Sequence, residues 1–219
     1  MGDPLKLLEF SPQHKKLVDL GPYDQVLHIG ANTGQEFSLY NYIGVKSVIW
    51  IEPEKESLRR LRRKSLFWGN LRSFYINEFI SDVTGVKVNF YKFNKSGANS
   101  TFKPTELWLK KKRDIWVTEV STVTTITIED ALVKHNVSVD GRNNLLVIDV
   151  QGNELPILNG FNSFLLSKFR IVMCEFSQGQ YENSGSPVKL KNKLEELGYT
   201  ELLAPIRKSD DAIFIRNDG

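Results

Sequence analysis

An apolar run leads directly into a glycine turn in the stretch VLHIGANTGQ, residues 26–35. The pattern predicts a strand over 25–29 and a helix over 35–43. Gly30 and Gly34 would let the backbone turn sharply and approach a ligand closely. A turn that opens a helix also offers free N–H groups to polar or anionic atoms, although a glycine turn can serve packing alone. The stretch therefore favours an α/β fold with a candidate ligand site after its first strand.

The rest of the chain alternates short apolar runs with amphipathic segments, which is typical of a parallel α/β sheet. Further strands are predicted over 46–51, 72–80, 145–149 and 170–175, and helices over 12–20, 54–67, 153–166 and 188–197. The segments TELLAP and AIFIRN near the C-terminus predict an antiparallel hairpin. Residues 86–128 are rich in β-formers but interrupted by glycine, proline and a basic run. We expect this segment to be an excursion with strands and a mobile loop, placed over one end of the sheet.

The composition bounds the class of protein. The chain has 219 residues, of which 41% are hydrophobic and 25% are charged. This balance is typical of a globular domain with one sizeable core. We expect a single domain over residues 1–219, with residues 1–22 as a helical lead-in. The net charge of +3 is too small to indicate a nucleic-acid partner. The oligomeric state stays open.

The cysteine and histidine content of the chain argues against a metal site and against disulfide bonds. Cys174 is the single cysteine, which excludes an intramolecular disulfide and a cysteine-rich zinc site. The three histidines are widely spaced, so no metal is expected. The opening MGDPLKLLEF lacks the basic and apolar regions of a signal peptide, and no apolar run is long enough to cross a membrane. We therefore expect a cytoplasmic protein.

A glutamate ends the second predicted strand, at Glu52, and Pro53 follows it. Sites of this kind place a ribose-binding acid roughly 20 residues after the glycine turn. A carboxylate can accept hydrogen bonds from both ribose hydroxyls. The alternative is a glutamate that is solvated or caps the next helix. Taken with the glycine turn, Glu52 favours a ligand that contains a nucleoside.

The turn also bears on the choice of ligand. Nicotinamide and flavin dinucleotides carry a pyrophosphate and usually require the pattern GxGxxG. Here the turn reads GANTG, so the third glycine of that pattern is missing. S-adenosylmethionine has no phosphate and presents a carboxylate, an amine, a ribose and an adenine. A turn that contains asparagine can hydrogen-bond such groups, which favours S-adenosylmethionine.

Six segments of the chain carry a combined family signature: VLHIGANTGQ (26–35), WIEPEKESLRRL (50–61), INEFISDVTGVKVNFY (76–91), STVTTITIEDAL (121–132), LLVIDVQGNELPILNGF (145–161) and IVMCEFSQGQY (171–181). Together they resemble the FkbM-type family of class I S-adenosylmethionine-dependent methyltransferases. The resemblance implies a Rossmann-like fold: a mostly parallel seven-stranded sheet with one antiparallel strand and helices on both faces. It also implies a donor pocket above the switch point of the sheet and a small hydroxylated acceptor.

The resemblance assigns candidate roles by position. The turn residues Gly30, Ala31, Asn32, Thr33 and Gly34 would surround the methionine end of the donor. Glu52, with Pro53 beside it, would hold the ribose. The adenine would lie near Ile80, Ser81 and Asp82, although the last two could form a plain turn. Asp149 and Gln151 would face the transferred methyl group.

The chain departs from the family pattern at His28, two residues before Gly30. Family members usually carry an acid there, which can engage the ammonium group of the donor directly or through water. A protonated histidine cannot do so equally. We keep His28 as a candidate donor contact, with packing inside the sheet as the alternative.

Three carboxylates are candidates for the general base that methylation of a hydroxyl needs. Asp149 is the first choice because it ends a central strand beside the donor. Glu154 and Glu175 are the alternatives. Each has a structural interpretation: support of the donor site for Asp149, complementing a helix dipole for Glu154, and anchoring a neighbouring loop for Glu175.

The function predicted from these patterns is O-methylation of a sugar or another small metabolite. The basic run at 110–113 follows Trp108 and could close over an acidic acceptor such as a nucleotide sugar, although surface charge is the simpler interpretation. Two alternatives stay open. One is a nicotinamide-dependent oxidoreductase, and the other is a non-catalytic relic of the fold that binds a ligand, a glycan or RNA.

Overall fold

The computed structural model describes residues 11–67, 71–176, 179–182, 184–205 and 211–217. Within these ranges the strands are β1 (Gln25–Ile29), β2 (Ser47–Ile51), β3 (Arg72–Ile76), β4 (Phe79–Ile80), β5 (Lys87–Phe93), β6 (Val117–Ile126), β7 (Asn144–Ile148), β8 (Phe169–Glu175), β9 (Tyr199–Leu203) and β10 (Asp211–Arg216). The helices are α1 (Pro12–Leu20), α2 (Phe37–Ile43), α3 (Lys55–Phe67), α4 (Glu106–Lys111), α5 (Ile128–Lys134), α6 (Glu154–Gly160), α7 (Ser163–Leu166) and α8 (Pro187–Glu196). The first ten residues of the predicted lead-in lie outside the described residues.

Seven strands form the main sheet in the order β3-β2-β1-β7-β8-β10-β9. In this sheet the five strands β3, β2, β1, β7 and β8 run parallel to one another. Strand β10 is antiparallel to both β8 and β9. The predicted sheet with one antiparallel strand is confirmed, and so is the C-terminal hairpin. The strand order reverses between β1 and β7, so a crevice opens beyond the carboxyl ends of these two strands.

Helices cover both faces of the main sheet. Every residue of β1 and β7 is buried, as expected for parallel strands with helices on both sides. On one face, Leu27 and Leu146 pack with apolar side chains of α5, α6 and α8. On the other face, Val26 and Trp50 pack with side chains of α1, α2 and α3. The two layers fix the sheet between them and leave its carboxyl edge free for a site.

Two predicted elements are each divided in the structure. The strand expected over 72–80 is β3 followed by β4, which leaves the main sheet and pairs with β6. Asn77 holds this exit, because its side-chain amide donates to the carbonyls of Glu52 and Pro53 at 2.8 and 2.7 Å. The helix expected over 153–166 is α6 followed by α7, because Phe161 is extended and Asn162 caps the second helix.

The excursion at 86–128 contains β5, a short 3-10 turn at Ser96–Ala98, α4 and all of β6. It packs against the loops that follow β7 and β8. The Ser100 hydroxyl donates to the Gln151 carbonyl at 2.7 Å, and the Tyr181 hydroxyl donates to the Ala98 carbonyl at 2.8 Å. Trp108 packs against Tyr181, with ring centroids 5.4 Å apart. These contacts hold the excursion over the carboxyl edge of the main sheet.

The turn after β1 lies directly against the end of β7. The N–H groups of Gly30 and Ala31 donate to the Ile51 carbonyl at 2.9 and 3.0 Å, and the Asp149 N–H donates to the Ile29 carbonyl at 3.0 Å. Gly30 has a φ of +89°, and a Cβ atom there would lie 1.7 Å from the Asp149 carbonyl oxygen. Only glycine fits this position, so the turn can lie against both neighbouring strands.

Replacing Gly30 tests this close approach. Gly30→Ala should lower the free energy of unfolding by at least about 3 kcal/mol, because the new methyl group meets backbone atoms at an unfavourable φ. Gly44→Ala is the matched control: its φ is +77°, but a Cβ atom there would meet nothing within 4 Å. Backbone strain alone should then cost about 1–2 kcal/mol. Urea unfolding measures both values, and equal losses would contradict the close approach.

Candidate active site

A cleft opens at the carboxyl ends of β1, β2 and β7, under the excursion. It holds about 1020 Å³ of empty space, part of it open to solvent. Four acidic side chains line it: Glu36, Glu52, Glu78 and Asp149. The other lining residues are Ile29, Gly30, Asn32, Gln35, Ile51, Pro53, Phe79, Ile80, Phe90, Gly97, Asn99, Ser100, Thr101, Val150, Gln151 and Asn153. The cleft therefore coincides with the switch point of the sheet.

The glycine turn contributes Gly30 and Asn32 to the cleft. Asn32 has a φ of +44°, and this conformation aims its N–H at the Glu52 carboxylate. The structure does not bring all five predicted turn residues to the cleft surface. Ala31 and Gly34 are buried, and Thr33 is half-buried beside the cleft without lining it.

The Glu52 carboxylate joins the turn to the start of α3. Its Oε2 accepts the Asn32 N–H and its Oε1 accepts the Glu54 N–H, both at 2.8 Å. The side chain is 8% exposed. Burial raises the pKa of Glu52 to about 7, against the lowering effect of the two hydrogen bonds. Each oxygen has a further lone pair, so Glu52 can cap the helix and still accept hydrogen bonds from a ligand.

Gln151 connects two carboxyl groups at the ends of β7 and β8. Its amide Nε2 donates to Asp149 Oδ1 at 3.1 Å and to Glu175 Oε2 at 2.8 Å. The Tyr181 hydroxyl, which donates to the Ala98 carbonyl, also lies 3.3 Å from Gln151 Oε1. The backbone of Gln151 is left-handed, with a φ of +56°, and this turns the amide back towards the two strand ends. Asp149 and Gln151 line the cleft, and Glu175 lies behind them.

The two carboxyl groups flank the same Gln151 amide nitrogen, and each influences the ionisation of the other. Burial raises the pKa of Asp149, while hydrogen bonds from Gln151 and Glu175 counter that rise. Burial and the nearby carboxylates of Asp149 and Glu154 raise the pKa of Glu175 well above its usual range. The two groups titrate as a pair, and the raised pKa belongs to the pair.

Glu154, a candidate base, lies beneath the loop after β7 and does not line the cleft. Its Oε1 accepts the N–H groups of Val150 and Gly152 at 3.3 and 3.0 Å. Burial raises its pKa to about 7, although these hydrogen bonds lower it in part. The contacts make Glu154 a support for the loop that carries Gln151.

His28 also lies away from the cleft surface. The ring is 2% exposed, and it packs against Trp50 and Tyr40 with centroid distances of 5.5 and 5.9 Å. Its Nδ1 is 3.0 Å from the Tyr40 hydroxyl. Burial lowers the pKa of His28 to about 3, so the ring is neutral. The structure places it in the core between β1 and α2, where it cannot touch a ligand in the cleft.

Of the three residues predicted near the adenine, the structure brings Ile80 to the cleft. The Ile80 carbonyl accepts the Asn153 side-chain amide at 2.8 Å. Ser81 and Asp82 do not line the cleft. The Ser81 hydroxyl donates to Asp82 Oδ1 at 3.1 Å, so these two side chains bond to each other.

The cleft has an acidic lining. Among the described residues that line it, there is no lysine, arginine or histidine. Glu78 is the acid that basic residues neutralise, since Lys134 Nζ and His135 Nε2 both lie 2.8 Å from its Oε1. The basic run at 110–113 is exposed on and after α4, and Lys110 pairs there with Glu106. In the described ranges, no group of three or more His, Cys, Asp or Glu side chains is arranged to hold a metal ion.

A family model described as the methyltransferase FkbM domain matches residues 28–201. The chain belongs to the FkbM methyltransferase family. The match includes every strand from β2 to β8 and all the acids of the cleft. Membership favours the methyltransferase prediction over the oxidoreductase alternative. No curated protein matches the chain.

Solved structures share the fold of this FkbM methyltransferase domain. Methyltransferase FkbM from Methylobacillus flagellatus has a TM-score of 0.54 at 15% identity, over 88% of this chain and 43% of that one. A precorrin-6y C5,15-methyltransferase from Geobacter metallireducens also scores 0.54, at 10% identity, over 100% and 94% of the two chains. TrmK from M. capricolum, solved with S-adenosyl-homocysteine, scores 0.52 at 12% identity, over 96% and 70%. The chain thus spans less than half of the Methylobacillus protein. The likeness shows a Rossmann-like class I methyltransferase fold.

Sequence reasoning missed several cleft residues of the FkbM domain. Glu36 carries a signal that could have found it, since an acid two residues after the glycine turn starts a helix beside the site. Asn153 lies inside the segment IDVQGNE that carries the resemblance. The loop at 97–101 has no such signal, because its position depends on how the excursion packs.

Within the described ranges, no helix combines the length and the apolar character needed to cross a membrane.

The pH dependence of stability tests the burial of Glu154. Its pKa of about 7 exceeds the ordinary value of 4.5, so its contribution to stability is complete below the lower value and is lost as pH rises through the higher one. Relative to Glu154→Gln, the wild-type protein should lose up to about 3 kcal/mol of unfolding free energy between about pH 5 and 8. Urea titrations across this range measure the difference. The control Glu106→Gln, on the exposed face of α4, should show the same change of unfolding free energy with pH as the wild type. If the difference in unfolding free energy between the wild type and Glu154→Gln does not change with pH, the raised pKa of Glu154 is refuted.

Proposed function

We propose that this domain transfers a methyl group from S-adenosylmethionine to a hydroxyl group of a small uncharged metabolite, such as a saccharide. One observation carries the proposal: the turn after β1 and the acid after β2 meet in a single cleft, where the Asn32 N–H bonds the Glu52 carboxylate at 2.8 Å. This is the arrangement that a nucleoside ligand needs at the switch point of a parallel sheet. Family membership supports methyl transfer.

The residues of the cleft suit the parts of the donor. Glu52 offers carboxylate lone pairs to the two ribose hydroxyls, while its own position is fixed by two backbone N–H groups. Ile51 and Ile80 supply an apolar surface for the adenine ring. Gly30 and Asn32 leave room for the methionine end. The bound donor would supply an electrophilic methyl group on a sulfonium, whose thioether leaves without charge.

Asp149 is our candidate for the general base. It lies at the cleft surface with its Oδ1 hydrogen-bonded to Gln151, so its orientation is fixed. Glu175 lies behind it, with a pKa that burial and the neighbouring carboxylates raise well above its usual range. We assign the proton of the pair to Glu175, which leaves Asp149 as the ionised partner. In the proposed step, Asp149 takes the proton of the acceptor hydroxyl as that oxygen becomes the nucleophile. Such help is worth roughly 10²–10⁴-fold, and alignment of the reactants supplies the rest.

The lining of the cleft favours an uncharged acceptor. The loop at 97–101 contributes Asn99, Ser100 and Thr101, and Phe79 and Phe90 lie beside them. Amide, hydroxyl and aromatic groups are the partners that a saccharide uses. A nucleotide sugar would bring phosphates into a cleft whose described charges are all acidic. We therefore favour the saccharide over the phosphorylated acceptor, with the excursion at 86–128 forming the acceptor side.

Binding of S-adenosylhomocysteine tests the donor site. Calorimetry should give saturable binding, and Glu52→Ala should weaken it by roughly 10-fold or more because the ribose loses a charged hydrogen-bond partner. Glu106→Ala, on the exposed face of α4, is the control and should bind as the wild type does. Absence of binding at millimolar ligand, or unchanged affinity of Glu52→Ala, would refute the donor site.

Turnover of Asp149→Asn tests the proposed base. With methyl-labelled donor and a panel of mono- and disaccharides, the rate of label transfer should fall roughly 10²–10⁴-fold. Binding of S-adenosylhomocysteine should change much less, because asparagine keeps the size and the hydrogen bond of the side chain. Transfer at the wild-type rate would remove Asp149 as the base.

A further inference from the structure

Glu36, the acid beside the glycine turn, takes no part in the proton transfer or the ribose contact proposed above. Glu36 directly precedes α2 and lines the cleft next to Gly30 and Asn32. Its side chain is 20% exposed, so its carboxyl group is largely buried and still open to the cleft. Burial and the nearby Asp149 carboxylate raise the pKa of Glu36 to about 7. An acid held in this way favours a positively charged partner.

The protein does not supply that partner directly. His28 Nδ1 lies 4.0 Å from Glu36 Oε2, but the ring is buried and neutral. Its Nδ1 is already 3.0 Å from the Tyr40 hydroxyl. Lys64 has some influence on the charge of Glu36, but its Nζ donates to the Gly34 carbonyl. In the part of the chain that the structure describes, no lysine or arginine lies within 4.0 Å of the Glu36 carboxylate.

A cationic group of the ligand can fill this role. The methionine end of the proposed donor carries an ammonium group, and the glycine turn beside Glu36 is where that end would lie. We propose that Glu36 binds the ammonium group of the donor, in the role that the sequence had assigned to position 28. The neutral ring of His28 backs the carboxylate from the core and fixes the wall behind it. This inference rests on the proposed function, because it needs S-adenosylmethionine in the cleft.

The proposal explains why the chain tolerates a histidine two residues before Gly30. An acid at position 28 would be buried between β1 and α2, within about 4 Å of a second acid, and like charges at that distance repel. With the acid at position 36, a neutral ring at position 28 can donate or accept a hydrogen bond and fill the core. In this proposal Glu36 supplies the carboxylate, and the residue at position 28 packs in the core.

The contact between Glu36 and the ammonium group is tested by removing each partner separately and then both together. The probes are S-adenosylhomocysteine and its analogue without the amino group, titrated by calorimetry into the wild type and Glu36→Gln. In the wild type, loss of the amino group should weaken binding roughly 10- to 100-fold. Glu36→Gln should weaken binding of S-adenosylhomocysteine by a similar factor and should bind the two ligands almost equally. Glu106→Gln is the control and should discriminate as the wild type does.

The possible outcomes separate this inference from the proposed function. If neither protein binds S-adenosylhomocysteine, the donor site itself is wrong and the pairing falls with it. If both bind it and Glu36→Gln still discriminates against the deaminated ligand like the wild type, the donor site stands and the role of Glu36 is overturned. Glu36→Asp provides a second variant in case glutamine disturbs the fold. It should bind with intermediate affinity, because its carboxylate is one methylene shorter, and equal discrimination by this variant and Glu36→Gln would also overturn the role.

Discussion

The structure depends on the close approach of Gly30 to the Asp149 carbonyl oxygen. Any side chain at position 30 would collide with that oxygen, so the first turn can lie against β7 only as glycine. The same turn is fastened to β2 through the Ile51 carbonyl. Three strand ends therefore meet within one small region. The acids that follow these strands, Glu52 and Asp149, come together in the cleft as a consequence.

Gathering acids in a partly buried cleft works against stability, and the fold offsets this with backbone and amide donors. Glu52 receives two backbone N–H groups, and Asp149 receives the amide of Gln151. Among the described residues, no lysine or arginine lies within 4.0 Å of the Glu36 carboxylate to balance its charge. Where a domain keeps charge that its own side chains do not balance, a bound ligand is the natural counterpart. The electrostatics of the cleft thus agree with a ligand that carries both hydroxyl groups and a positive charge.

Sequence reasoning predicted the main sheet well, because its signals are local. The apolar runs before Gly30, Glu52 and Asp149 each mark a strand, and parallel strands bring their carboxyl ends to one edge. It could not assign the side-chain environment of His28, since this depends on the packing of Tyr40 and Trp50 against the ring. It also could not place the loop at 97–101, whose position is set by contacts with residues far along the chain. The role of Glu154 could not be predicted from the sequence either, because only the fold shows that its carboxylate accepts hydrogen bonds from backbone N–H groups of its own loop.

A crystal structure of the domain grown with S-adenosylhomocysteine tests the central claim most directly. The account predicts density between the turn at 30–34 and the end of β2, with the ribose hydroxyls within hydrogen-bond distance of the Glu52 carboxylate. It also predicts the thioether sulfur on the side of the cleft that carries Asp149. A ligand bound elsewhere on the domain, or a ribose that does not touch Glu52, would contradict the account.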